Sequence, residues 1–283
     1  MTFRDLQFQF QNALATGYDT AEIDSFFYLS LEHLHALKRL DLALEPQLLV
    51  PDEALEKWFS ILEQLKAQKP IQYILGEASF CDLIFKVTEN TLIPRPETEE
   101  LVFWITEALQ SSGFQNPKIL DIGTGTGCIP IALQKKLPFA EVFALDVSAA
   151  ALEVARENAQ KNQAAVTFFQ HDILEVDRLD STYDVLVSNP PYVREMEQVE
   201  IKPNVLNYEP HLALFVPDSD PLLFYRKIAA LAGQHLSLNG LLFFEINQYL
   251  GEATVALLHE MGFSSVVLRK DIYGNDRMIL AKR

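Results

Sequence analysis

The chain has 283 residues, of which 23 are basic and 39 acidic, and its formal net charge at pH 7 is −16. Its apolar fraction of 49% is that of a globular protein with a substantial core, which excludes a disordered or fibrous chain. The acid excess argues against broad binding to nucleic acid, because phosphate contacts need clustered Lys and Arg side chains.

The cysteines and the apolar runs indicate where the protein works. Cys81 and Cys128 are too few for a disulfide scaffold, so a reducing compartment is favoured. No apolar run approaches the roughly 18 residues that a membrane span needs. The first residues also lack the charged-then-apolar plan of a signal peptide. We therefore expect a cytoplasmic protein with no membrane partner.

Residues 1–70 are predicted to form a small helical bundle. Asp19, with Glu22 three residues later, has the spacing of a capping box at a helix start. Pro51 and Asp52 open a second helix that Pro70 stops. Two apolar stripes follow these starts at helical spacing: Ile23, Phe26, Phe27, Leu31 and Leu34, then Leu55, Trp58, Phe59, Leu62 and Leu65.

Residues 71–96 change in character and are predicted to form a hairpin linker. The runs 71–76 and 83–87 are strand-like, with a turn-prone stretch between them. Pro94 and Pro96 then forbid a regular interior element. A helix is expected over residues 97–109.

From Pro117 onwards, strand-like runs alternate with helical stretches such as 149–162 and 221–236. This alternation predicts an α/β, Rossmann-like, doubly wound and mostly parallel seven-stranded sheet. A turn signal at Tyr273-Gly274-Asn275-Asp276 joins the last two runs, which are expected to form an antiparallel edge hairpin. The seven runs are 118–121, 142–146, 166–170, 184–188, 241–245, 265–269 and 278–281.

A glycine-rich loop follows the first of these strands, in the sequence Asp121-Ile122-Gly123-Thr124-Gly125-Thr126-Gly127-Cys128. Its glycines allow a tight turn and let a ligand approach bare peptide groups, and the helix start after it offers unpaired N–H donors. The spacing GxGxG differs from the GxGxxG of dinucleotide binders and lacks the GK[ST] ending of a P-loop. A tight structural turn is the alternative.

Acidic residues end the next two predicted strands as well. Asp146 could accept hydrogen bonds from both hydroxyls of a ribose, as acids do at this position of related sheets. Asp172 could accept from the amino group of an adenine, while Ile173 covers its ring. Each acid alone would more often be a helix cap, but three successive strand ends favour a ligand site.

The motif Asn189-Pro190-Pro191-Tyr192 follows the fourth strand. Its two prolines fix the backbone and remove two donors, so the carbonyl groups stay free as acceptors. Asn189 adds an oxygen acceptor and Tyr192 a flat face. Such a pocket suits a planar –NH₂ group, either an amide or an exocyclic base amine. A rigid turn is the alternative.

Taken together, these motifs resemble the class I S-adenosylmethionine-dependent methyltransferases that modify amino nitrogens. Within that class, the sequence resembles the release factor glutamine N5-methyltransferases, the HemK/PrmC family. The resemblance covers residues 70–283, whereas the helical start matches only in kind. One departure is Asn247-Gln248, where the family usually has glycine, and we expect it to touch no ligand. The further segments that resemble the family are 70–76, 92–99, 208–210, 245–246 and 271–277.

The resemblance implies S-adenosyl-L-methionine as the cofactor. No metal is expected, because the six histidines are scattered and no set of His, Cys and carboxylate residues has a recognisable metal-ligand spacing. The resemblance implies that the catalytic residues Asn189, Pro190 and Tyr192, together with Pro191, bind the glutamine side chain in the GGQ loop of class I peptide chain release factors. It also implies a methyltransferase domain over residues 97–283. The implied cofactor contacts are Asp121, Gly123, Thr124, Gly125, Thr126, Gly127, Asp146, Asp172, Ile173 and Asn189.

The helical start, residues 1–70, is then expected to dock the protein substrate, and the enzyme is expected to be a monomer without stable nucleic-acid binding. Three alternatives stay open. The substrate could be a glutamine of a ribosomal protein, or the amino group of a DNA or RNA base. The chain could also be an inactive scaffold that docks to a translation factor. The acid excess counts against the nucleic acid, and the intact motifs count against the scaffold.

Overall fold

The computed structural model describes all residues from 1 to 283. The chain divides into two compact units. The first comprises Met1–Gly76 and Lys202–Tyr208, and the second comprises Glu77–Ile201 and Glu209–Arg283. None of the helices combines the length and the apolar character needed to cross a membrane.

The first unit is helical, as the apolar spacing predicts. Asp19 caps the second helix by accepting a hydrogen bond from the Glu22 backbone N–H at 2.8 Å. Trp58 is fully buried at the centre of the core, where it stacks on Phe27 and donates to His35 Nε2 at 3.0 Å. The helices are α1 (Phe3–Leu14), α2 (Thr20–His35), α3 (Arg39–Leu44), α4 (Asp52–Lys66), α5 (Ile71–Leu75) and, later in the chain, α9 (Pro203–Leu206).

The strand predicted over residues 71–76 is wrong, because these residues form helix α5. Pro70 stands at its N-cap, and the Pro70 carbonyl accepts from both the Tyr73 and the Ile74 N–H groups. Gly76 ends the helix in the left-handed conformation at φ 74°, with its N–H donating to the Gln72 carbonyl. The apolar run was too short to distinguish a buried helical turn from a strand. The hairpin itself is Glu77–Phe80 paired with Leu83–Lys86, and it belongs to the second unit.

The second unit is built on a seven-stranded sheet in the order β10-β11-β9-β6-β3-β4-β5. The five strands from β9 to β5 run parallel, and β11 pairs antiparallel with both β9 and β10 at one edge. The predicted fold class is therefore confirmed. The strands are β1 (Glu77–Phe80), β2 (Leu83–Lys86), β3 (Lys118–Ile122), β4 (Glu141–Asp146), β5 (Val166–Gln170), β6 (Tyr183–Ser188), β7 (Val193–Arg194), β8 (Phe215–Val216), β9 (Leu236–Glu245), β10 (Ser265–Lys270) and β11 (Asp276–Lys282).

Helices cover both faces of this sheet, because a parallel sheet must bury both. One apolar core includes Leu101 and Ile131, and a second includes Tyr225 and Leu258. The helices are α6 (Pro96–Ser112), α7 (Cys128–Lys136), α8 (Ala149–Lys161), α10 (His211–Leu214), α11 (Leu223–His235) and α12 (Gly251–Glu260), with a 3₁₀ helix at Glu195–Glu200.

One buried polar side chain joins the β1–β2 hairpin to the glycine-rich loop. Asn158 of α8 accepts from the Lys86 N–H at 2.6 Å. Its Nδ2 donates to the Lys86 carbonyl and to the Thr126 carbonyl, each at 2.9 Å. The side chain thus satisfies three backbone groups that belong to two separate segments.

Replacing Asn158 by Ala should lower the free energy of unfolding by about 2–4 kcal/mol, since buried backbone groups lose their partners. Urea denaturation of the full chain measures this change. The matched control is Asn162→Ala one turn later, where Nδ2 loses an exposed contact to the Ile84 carbonyl and a half-buried contact to the Asn158 carbonyl. That control should cost less than about 1 kcal/mol. Equal losses in the two variants would contradict the linking role of Asn158.

Candidate functional site

A cavity of about 310 Å³ opens at the carboxyl ends of the parallel strands in the second unit. Its walls come from the glycine-rich loop after β3, from the residues that follow β4, β5 and β6, and from segments around residues 89–95 and 210–213. This is the edge at which open α/β sheets bind ligands. The register explains the convergence, because Ile122 lies opposite both Leu145 and Ser188.

The glycine-rich loop is held by β4 and shaped by its glycines. The N–H groups of Gly123 and Thr124 both donate to the Leu145 carbonyl, at 2.9 and 3.0 Å. Gly123, Gly125 and Gly127 all have positive φ, a conformation that glycine adopts without strain. A Cβ added at Gly127 would lie 3.1 Å from Ala155 Cβ, so this glycine also permits α7 to start close to α8.

Asp121 is not among the residues that line the cavity, but it has the most unusual surroundings of the predicted site residues. It is fully buried, and neither of its carboxylate oxygens has a hydrogen-bond partner within the protein. The Thr124 hydroxyl is likewise buried without a partner. Burial raises the pKa of Asp121 to about 7, and the nearby charge of Asp146 adds to the rise. Thr124 opposes part of this rise, although its hydroxyl makes no hydrogen bond of standard geometry. A buried carboxylate of this kind lacks a donor or cation that a ligand could supply.

The two other predicted acids differ in their surroundings. Asp146 accepts from the Gly125 N–H at 2.8 Å and from the Ser148 N–H at 2.9 Å, so it ties the glycine-rich loop to the start of α8. Burial raises its pKa, and these backbone hydrogen bonds oppose the rise. Each oxygen keeps a free lone pair for a ligand hydroxyl. Asp172 is exposed and accepts from the Leu174 N–H at 2.9 Å, while Ile173 is buried, and both line the cavity.

The Asn189-Pro190-Pro191-Tyr192 motif is only partly within the cavity. Asn189, Pro190 and Pro191 line it, but Tyr192 is not among the lining residues. The Tyr192 hydroxyl instead donates to Glu245 Oε1 at 3.2 Å, away from the cavity. The role predicted for the Tyr192 ring, a flat face for the substrate –NH₂ group, therefore stays a prediction, and this geometry does not support it.

Thr98 and Glu245 lie within the family-like segments 92–99 and 245–246, but no role for either side chain is predicted from the sequence. Thr98, in the first turn of α6, lines the cavity beside Asn189. Its hydroxyl donates to Glu245 Oε2 at 2.6 Å, and Glu245 is the last residue of β9. The two residues are 147 positions apart. No local pattern signals such a pair.

Two further contacts brace the walls of the cavity. Glu209, which is buried, accepts from the Ile93 N–H at 3.1 Å and pairs with the Arg95 guanidinium. Asn247 Nδ2 donates to the Tyr192 carbonyl at 2.9 Å and to Glu197 Oε2 at 2.8 Å. Asn247, where the sequence departs from the family, thus holds the backbone of the proline motif. No group of three or more His, Cys, Asp or Glu side chains is placed to hold a metal ion.

Two family models match the chain. Residues 104–208 match the one described as Methyltransferase small domain, and residues 6–76 match the one described as PrmC N-terminal domain. Among curated proteins, a release factor glutamine methyltransferase from Flavobacterium psychrophilum is 58% identical over 280 residues, covering 99% of this chain and 98% of that protein. A protein of the same name from Streptococcus pneumoniae is 39% identical, with the same two coverages of 99% and 98%.

Solved structures share the fold at low sequence identity. The hMettl16 catalytic domain, solved in complex with the MAT2A 3′UTR hairpin 6, matches with a TM-score of 0.59 and 18% identity, covering 77% of this chain and 81% of that one. A methyltransferase from Pyrococcus furiosus matches with a TM-score of 0.51 and 20% identity, covering 71% and 88%. At these identities the likeness establishes the fold alone.

The unpartnered carboxylate of Asp121 should reduce the stability of the ligand-free protein at neutral pH and above. In the folded protein Asp121 holds its proton up to about pH 7, whereas an unfolded aspartate loses it near pH 4. The folded state therefore loses stability as the pH rises from about 4 to about 7. Asp121→Asn should raise the free energy of unfolding by up to about 4 kcal/mol at pH 8 and change it little at pH 4.

Urea denaturation of the ligand-free full chain at pH 4, 6 and 8 checks this. The control is Asp172→Asn at the same edge of the sheet, where the substitution falls on an exposed side chain and should change the free energy of unfolding by less than about 0.5 kcal/mol. A destabilised Asp121→Asn variant at pH 8 would contradict the assignment of a strained, unpartnered carboxylate.

Proposed function

Because the chain belongs to the family of release factor glutamine methyltransferases, we propose that it transfers a methyl group from S-adenosyl-L-methionine to a glutamine side-chain amide. The substrate glutamine is that of the GGQ motif in class I peptide chain release factors. The observation that carries the proposal is that Asn189 and Pro190 line the same cavity as the glycine-rich loop. An amide held there lies next to the cofactor site.

The residues of the cavity fit S-adenosyl-L-methionine. This cofactor carries a sulfonium and an ammonium group, and the Asp121 carboxylate, which is buried just behind the cavity lining at Ile122, has no partner within the protein. The open space at Gly123 and Gly125, where a Cβ would meet nothing within 4 Å, allows a ligand to lie against the loop. Asp146 keeps acceptor capacity for ribose hydroxyls, and the Asp172–Ile173 corner can take the adenine. Thr124 and Thr126 line the same cavity, whereas Gly127 lies outside its lining and serves the close approach of α7 to α8.

The residues around Asn189 act by orientation. An amide nitrogen is a poor nucleophile because its lone pair is delocalised into the carbonyl group. If Asn189 Oδ1 and the Pro190 carbonyl accept its two hydrogens, the nitrogen is held with its lone pair towards the methyl donor. The bound cofactor supplies an activated methyl group on a sulfonium. Orientation of this kind can contribute several kcal/mol without a charged catalyst.

The proton of the reacting nitrogen does not require a strong base. A protonated, methylated amide nitrogen is very acidic, so its proton can pass to water after transfer. Pro190 and Pro191 keep the backbone carbonyl rigid at the point of contact, because proline fixes φ and lacks an N–H. Tyr192 supports the motif from behind through its contact with Glu245.

We propose that the helical first unit selects the protein substrate, as expected for residues 1–70. A glutamine side chain is too small and too common for one pocket to select it among cellular proteins. The first unit presents exposed apolar side chains, including Phe8 at 63% and Leu44 at 72% exposure. Affinity at such surfaces depends on a few anchors.

We further propose that the enzyme is a cytoplasmic monomer without stable nucleic-acid binding. Gel filtration at several protein concentrations tests whether it is a monomer.

Transfer of labelled methyl to purified release factor, ribosomal proteins and DNA in parallel tests the substrate class. We expect label on the release factor, at the GGQ glutamine. Asn189→Ala should lower turnover at least about thirtyfold, the effect of about 2 kcal/mol in the transition state, with a cofactor Kd within about threefold of wild type. Label on a ribosomal protein or on DNA in preference would overturn the release-factor assignment. Turnover near wild type in a folded Asn189→Ala variant would overturn the role of Asn189.

The docking role of the first unit predicts a defect confined to the intact protein substrate. Phe8→Ser and Leu44→Ser, tested singly and together, should raise the KM for intact release factor by about fivefold or more if either side chain is an anchor. They should leave kcat on a short GGQ peptide unchanged. Leu238→Ser in the second unit, at an 88% exposed position, is the control. An unchanged KM in the double variant would contradict docking through these side chains.

A further inference from the structure

A buried carboxylate lies behind the proline motif and contacts it at both ends. Glu245, 1% exposed, accepts from the Thr98 hydroxyl at 2.6 Å through Oε2 and from the Tyr192 hydroxyl at 3.2 Å through Oε1. Asn189 Nδ2 in turn lies 3.4 Å from Thr98 Oγ1. Glu245 therefore reaches the first residue of the motif through Thr98 and the last one directly.

The chemistry of Thr98 gives these contacts a direction. An ionised carboxylate only accepts hydrogen bonds, and a hydroxyl group has a single hydrogen to donate. Because Thr98 donates that hydrogen to Glu245, it can present only a lone pair to Asn189. The Asn189 amide must then turn its –NH₂ group towards Thr98, which leaves Oδ1 free on the other side.

Three neighbouring groups stabilise the ionised form of Glu245 against the effect of its burial. Burial raises the pKa of Glu245 overall and the charge of Glu97 adds to the rise, while the Thr98 hydroxyl, the Arg277 guanidinium and the Tyr192 hydroxyl oppose it. Arg277 is itself fixed by Asp271, which accepts from its Nε at 3.1 Å. Removing a carboxylate from water is costly, and apolar residues would fill the same volume more cheaply. A structural role alone gives no reason for placing a charge here.

We propose that Thr98 and Glu245 are positioning residues for methyl transfer, which hold the Asn189 carboxamide with Oδ1 towards the substrate nitrogen. The proposal rests on the proposed function of Asn189 as the acceptor for the glutamine amide. Neither residue acts on the reacting atoms. Without this anchor the Asn189 amide can rotate by 180° and present –NH₂ to the substrate –NH₂, which repels it.

A double-mutant cycle tests the relay in the full-length enzyme acting on intact release factor. Thr98→Val removes the hydroxyl and keeps the shape, so kcat should fall about tenfold, the effect of roughly one orienting hydrogen bond. Thr98→Ser restores the hydroxyl and should recover most of that loss. In an Asn189→Ala background, Thr98→Val should change kcat by less than about twofold, because the group that it orients is gone.

Glu245→Gln supplies a second, independent arm. Its amide can donate to Thr98, which frees the Thr98 hydroxyl to donate to Asn189 and favours the inverted amide. We expect a loss of kcat of about tenfold that also disappears in the Asn189→Ala background. The control is Thr106→Val, two turns along α6, where the lost bond runs only to the Val102 carbonyl and kcat should be unchanged.

Cofactor binding by calorimetry and melting temperature separate positioning from folding. Both should stay close to wild type in Thr98→Ser and Glu245→Gln. Equal losses of kcat in the wild-type and Asn189→Ala backgrounds would overturn the relay, and so would full activity of Thr98→Val. These results differ from failure of the proposed function, in which the wild-type enzyme leaves the release factor unlabelled or Asn189→Ala has full activity.

Discussion

The site depends on one constraint, the alignment of the carboxyl ends of β3, β4 and β6. Parallel pairing sets Ile122 against Leu145 on one side and Ser188 on the other, and the Ser188 hydroxyl donates to the Ile122 carbonyl at 2.6 Å. With these ends level, the glycine-rich loop, Asp146 and the proline motif emerge at one edge. A shift of one residue in any of these strands would reverse its side chains and separate the groups.

The same edge carries a conflict between stability and binding. Asp121 is the penultimate residue of β3 and is buried without a partner for its charge, while each oxygen of the neighbouring Asp146 accepts from a backbone N–H group. The two carboxylates therefore differ in their effect. Asp146 fixes the glycine-rich loop in the ligand-free protein, whereas Asp121 is proposed to gain its partner only when the cofactor binds. Strain of this kind persists because the surrounding fold is stable enough to hold it.

Local signals account for what the sequence could predict. The alternation of strand and helix runs predicted a doubly wound, mostly parallel sheet. The glycine-rich loop, the acidic residues and the proline motif predicted a ligand site at the carboxyl ends of its strands, because each of these motifs lies within a few consecutive residues. Residues 71–76 were mistaken for a strand because a five-residue helix is too short to show a period. The contact between Thr98 and Glu245 could not be predicted, because the two residues meet only in the folded chain. The position of the Tyr192 hydroxyl could not be predicted either, because it depends on its contact with Glu245.

The placement of charge around the proposed amide pocket follows from the chemistry assigned to it. The acceptors proposed to face the substrate nitrogen, Asn189 Oδ1 and the Pro190 carbonyl, are neutral, and a neutral carboxamide has nearly the same shape in both orientations. Neutral contacts alone would leave the choice between donor and acceptor unsettled. Glu245 contacts Asn189 only through Thr98, and we propose that this contact fixes the orientation of the Asn189 carboxamide. The carboxylate can thus orient the amide without lying beside the reacting atoms.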